Sequence, residues 1–178
     1  SSCATGVMGG ALGMIYSRAA EIALDPPLSS AEVFGIVAVS ATDIYVPEAA
    51  TNPLIYRSLQ GWDKYFGYGR LNVRDAVDCV TPTTIPPEAY IDAPGWFEIR
   101  DPLEGAIPVL GFVNARRAAS YSYRLEAQAG VDPDPEAWVV FAQENDRTAP
   151  LDGLLGAIDP EQLDWSKAVS HDVSGDYA

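Results

Sequence analysis

One nine-residue stretch, Val80-Thr-Pro-Thr-Thr-Ile-Pro-Pro-Glu88, limits what this chain can fold into more than any other feature. Its three prolines and three threonines show no apolar period, so it predicts a linker. Before it, apolar side chains recur at spacings of three and four; after it they alternate. The pattern predicts a helical unit over residues 1–79 and a β-rich unit over residues 89–178, with 80–88 between them. Charge divides the same way. Residues 1–80 hold 5 basic and 8 acidic side chains, whereas residues 81–178 hold 6 and 17. With 178 residues and 48% apolar content, each unit can build a core.

In the first unit, residues 4–24 read as a helix. Gly6, Gly9, Gly10, Gly13, Ser17 and Ala20 form a small-residue stripe, and Val7, Met8, Ala11, Leu12, Met14 and Ile15 fill the remainder. A helix apolar nearly all round is expected to be buried. Each interior glycine costs about 1 kcal/mol relative to alanine, so the stripe predicts close approach of a neighbouring backbone. Asp25-Pro26-Pro27 stops the helix. Ser29 and Glu32 form a capping box that opens a second helix, with Val33, Ile36 and Val37 on its apolar face, running to about Thr42. Residues 45–60 read as a surface loop. Gly61, Gly67 and Gly69 then lead to Asn72, the predicted cap of a short helix carrying Val73, Ala76 and Val77.

Beyond the linker, Tyr121, Tyr123 and Leu125 alternate with Ser120, Ser122 and Arg124, and Ile107, Val109 and Gly111 alternate with Pro108, Leu110 and Phe112. Residues 136–143 form a third run. With turn chemistry between them, these predict a small antiparallel sandwich. Residues 158–165 have room for one helical turn, and the final Ser-Gly-Asp-Tyr-Ala reads as the start of a strand.

The net charge of −14 disfavours nucleic acid or an anionic membrane as a partner, because phosphate binding needs Lys and Arg density. The apolar run from Gly6 to Tyr16 is far short of the roughly 20 residues that span a bilayer, so no membrane span is expected. Nothing basic precedes the run, so it is not expected to be a signal peptide. Cys3 and Cys79 read as two isolated thiols, with no Cys/His spacing for zinc. The only histidine, His171, receives no role.

A serine nucleophile needs a base for its proton and donors for the developing oxyanion. The N-terminus of a helix offers such donors, and Ser2 stands at one. Serine is also the commonest kind of helix cap, so on chemistry alone the nucleophile signal is weak and the cap reading ordinarily wins.

"SSCATGVMGGALGMIYS" resembles the nucleophile segment of subtilisin-like serine peptidases, Gly-Thr-Ser-x-Ala-x-Pro-His-Val-Ala-Gly followed by a helix. Ser2 falls on the nucleophile, Ala4 on the alanine and Gly10 on the glycine. "PPLSSAEVFGIVAVSATDI" resembles the family's next helix, and "GWDKYFGYGRLNVRDAVD" its closing segment. The three segments come in the family's order and cover residues 1–79. The second unit is similar, more loosely, to Ig-like repeats appended to secreted proteases, through "YSYRLEAQAGVDPDPEAWVVFA" and "LDGLLGAID".

The resemblance implies an α/β fragment, the C-terminal helices of a three-layer subtilisin-like domain, plus a small all-β Ig-like sandwich. It implies a secreted, monomeric endopeptidase that acts on protein or peptide substrates through an acyl-enzyme on Ser2. The family's catalytic Asp, His and oxyanion Asn belong to segments upstream of the nucleophile, so this chain alone is expected to be inactive. Residues 1–79 are then expected to leave much apolar surface uncovered. Gly6-Val7 stands where the family has Pro-His; that histidine is not the family's catalytic one, so Val7 is tolerable, and the loss of the proline at Gly6 mildly favours a catalytically dead, binding subtilase as the first alternative. An extracellular structural or adhesion module is the second. No cofactor is assigned. Calcium enters only through the family resemblance, and Asp132, Asp134, Asp146 and Asp152 read first as a solvated acidic face, with no calcium-loop spacing.

Overall fold

Helix α1 (Ser2–Glu21) buries only one stripe, Ala11, Ile15 and Ala19, at four-residue intervals. The computed structural model describes residues 2–47, 56, 58–96, 98–130 and 137–167. The helix closes through Leu24 N–H donating to the Ala19 carbonyl at 2.9 Å, with Ala23 in the left-handed region at φ +48°. The expectation of a helix buried all round is corrected here, because residues 2–10 are exposed. A Cβ built on Gly6, Gly9, Gly10 or Gly13 meets nothing within 4 Å, so among the described residues no backbone approaches these four glycines. The partners of α1 are short and cover only its second half.

Helix α2 (Ser30–Ser40) begins at the predicted capping box. Glu32 N–H donates to Ser29 Oγ at 3.1 Å, and Ser29 N–H donates to Glu32 Oε2 at 3.0 Å. Helix α3 (Val73–Asp78) is capped by Asn72, whose Oδ1 accepts from Asp75 N–H at 3.1 Å. Residues 48–55 and 57 of the predicted 45–60 loop lie outside the described residues. Ile15, Ala19 and Leu24 meet Val33, Ile36, Ala76, Val80 and Ile85 in one core.

Two of those core residues belong to the segment expected as a linker. Val80 is fully buried, Ile85 nearly so, and Glu88 is 6% exposed. Thr84 Oγ1 donates to the Cys79 carbonyl at 2.6 Å, and the Thr81 and Thr84 hydroxyls lie 2.6 Å apart. The turn held this way folds residues 80–88 back onto the helices, and the chain divides after Glu88 into units 1–88 and 89–178.

Among the described residues the second unit has five strands: β1 (Glu88–Ala93), β2 (Ile107–Asn114), β3 (Tyr121–Ala127), β4 (Val139–Arg147) and β5 (Leu151–Ile158). They form a three-stranded sheet in the order β1-β2-β5 and a two-stranded sheet, β3-β4. The β2/β5 pair is antiparallel, with Leu110 opposite Leu154; so is β3/β4, with Leu125 opposite Ala142. Inward alternation along β2 and β3 is as predicted, with Val109 and Leu125 buried; Val113 and Leu155 are buried beside them. The chain as a whole is therefore mixed: helices plus two small antiparallel sheets.

The two sheets touch where Gly156 has no side chain. A Cβ there would stand 2.7 Å from Ala142 Cβ and 2.9 Å from Leu125 Cδ2. Two tyrosines on one face of β3 join the layers. Tyr121 Oη has one proton and lies 2.9 Å from the Val113 carbonyl and 2.8 Å from that of Ala149. Tyr123 Oη donates to the Leu155 carbonyl at 3.0 Å. The helical turn expected within residues 158–165 is a single 3-10 turn, Pro160–Gln162, capped by Asp159.

Candidate functional site

Ser2 is the first residue of α1 and is exposed. The first N–H groups of a helix have no intrahelical acceptor, so donors for an anion are at hand beside the hydroxyl. Among the described residues, no hydrogen bond joins the Ser2 hydroxyl to an imidazole or a carboxylate, and His171 lies outside the described residues. What the described residues provide at Ser2 is thus an exposed hydroxyl beside the free N–H groups of a helix start, with no base hydrogen-bonded to it.

The two cysteines are unpaired with each other: Cys3 is exposed and Cys79 half-buried. Burial pushes the Cys79 thiol up from its ordinary value, while its hydrogen bond to Thr84 pulls the other way. Asp146 and Asp152 are exposed, and Asp132 and Asp134 lie outside the described residues. No three His, Cys, Asp or Glu side chains converge to hold a metal among the described residues. None of the helices described is long and apolar enough to cross a membrane.

Next to the exposed half of α1 lies a feature that sequence reading missed. Met8, Phe34, Val37, Ala38, Tyr68 and Leu71 line a shallow apolar groove of about 160 Å³. Phe34 and Tyr68 meet edge to face across it, with ring centroids 6.4 Å apart. Its floor depends on Gly69, held at φ +109° where the chain passes Thr42; a Cβ there would fall 2.3 Å from the Thr42 carbonyl oxygen. The reciprocal hydrogen bonds between Thr42 and Arg70, both 2.8 Å, fix this crossing. These residues come from three separated segments, so no local pattern reveals the groove.

No protein-family model, curated protein or solved structure matches the chain. Function therefore rests on the residues themselves.

Large apolar side chains are also exposed along α1 and α2. Val7, Phe34 and Val39 are each more than 60% exposed and Met14 is 55% exposed. This matches the expectation that residues 1–79 leave apolar surface uncovered.

Proposed function

We propose that this chain is the C-terminal part of a subtilisin-like catalytic domain joined to an Ig-like accessory sandwich, and that Ser2 is the nucleophile of a serine endopeptidase. The observation that carries this reading is Ser2 itself, an exposed hydroxyl on the first residue of a 20-residue helix. The Ser29/Glu32 capping box and the Asn72-capped α3 support it, since both fall in the segments that resemble the family. The facing sheets of the second unit agree with a small sandwich.

In the reaction, Ser2 Oγ bonds to the carbonyl carbon of a protein or peptide substrate as its proton passes to a general base. The Ser2 backbone N–H donates to the oxyanion, with a side-chain donor opposite. Collapse of the tetrahedral intermediate expels the amine and leaves an acyl-enzyme, which water then hydrolyses. The base, its orienting carboxylate and the second oxyanion donor are not supplied by the described residues. In the family those groups belong to segments upstream of the nucleophile, so the 178-residue chain alone is expected to be inactive, and the parent enzyme is expected to work outside the cell.

The test is the reading frame extended 5′ of Ser1. It should encode an Asp-Ser/Thr-Gly, a His-Gly-Thr and an Asn, in that order. The extended protein should cleave an unfolded protein substrate, and Ser2→Ala should lower kcat on the order of 10⁴ to 10⁶. A frame lacking the histidine motif overturns the enzyme and favours the non-catalytic binding subtilase, to which the Gly6-Val7 departure points. Cleavage by the 178-residue chain alone, lost in Ser2→Ala, overturns the division of the machinery.

A further inference from the structure

We draw no further inference here: the strongest candidate, the apolar groove lined by Met8, Phe34, Val37, Ala38, Tyr68 and Leu71 beside the exposed half of α1, carries nothing because nothing in the structure shows what covers it.

Discussion

The Ser29 hydroxyl, while accepting the Glu32 N–H that starts α2, donates its own proton to the Glu88 carboxylate 59 positions away. One side chain thus caps a helix and fastens the end of the first unit to it. Ser29→Ala removes both bonds. Loss of a cap costs about 1 kcal/mol and loss of a hydrogen bond to a charged group about 1.5–3 kcal/mol, so the helical unit should lose about 2.5–4 kcal/mol. Urea unfolding of the whole chain, followed by far-UV circular dichroism, measures this. Ser17→Ala, at an exposed position of α1, should shift the midpoint far less. Equal shifts for the two variants would show that the Ser29 connection contributes nothing particular.

Glycines in the first unit should respond in opposite directions. Gly13 sits in α1 with open space where a Cβ would go, so Gly13→Ala should stabilise by about 1 kcal/mol through helix propensity. Gly69→Ala should destabilise by more than 2 kcal/mol, since positive φ and the Thr42 carbonyl both oppose a Cβ. Thermal melts of the two variants beside the parent chain give the comparison. A destabilised Gly13→Ala would mean that another backbone does approach the stripe.

What the sequence made legible was local. The Ser29/Glu32 and Asn72/Asp75 pairs announce α2 and α3 because a cap and its third helical residue are neighbours in the chain. Alternation along β3 was readable for the same reason. Burial of α1 was not, because an all-round apolar helix announces a need for cover without saying whether the same chain supplies it. Val80 and Ile85 were read as linker since a turn, and no periodic element, brings both inward. Strand β1 escaped because Tyr90 and Ile91 are both exposed and give no period of two. At the candidate site, residue chemistry reached only as far as a serine on a helix end. The nucleophile role proposed for Ser2 rests on resemblance alone, and the groove needs three-dimensional structure to be seen.

Alkaline pH should loosen the second unit through Tyr123. Burial raises the Tyr123 hydroxyl above its ordinary value, and the nearby Glu144 carboxylate adds to the shift. A pKa raised on folding contributes stability that is whole below the unfolded value, ~10 for tyrosine, and is lost as pH rises through the folded value. Tyr123→Phe removes the bond to the Leu155 carbonyl at all pH values, so it should be less stable than the parent at neutral pH. Its stability should then fall less steeply above ~10. Denaturant midpoints measured across that range by near-UV circular dichroism decide the matter. Parallel curves for parent and variant would remove Tyr123 from the alkaline transition.

The uncovered apolar surface of the first unit should make the chain self-associate. Val7 and Phe34 are exposed on α1 and α2, and burying one such side chain gains about 1.5–3 kcal/mol, enough for several together to drive association. The parent chain should therefore bind an apolar fluorescent dye and scatter light increasingly with concentration. The double variant Val7→Gln/Phe34→Gln should reduce both signals. Glutamine is a better helix former than valine or phenylalanine, so the helical circular dichroism and the melting temperature should hold or rise. If dye binding drops because the unit unfolds, the melting temperature will fall with it, and the two causes separate. Dye binding and scattering that stay unchanged in a fully folded double variant would show that association arises from some other surface.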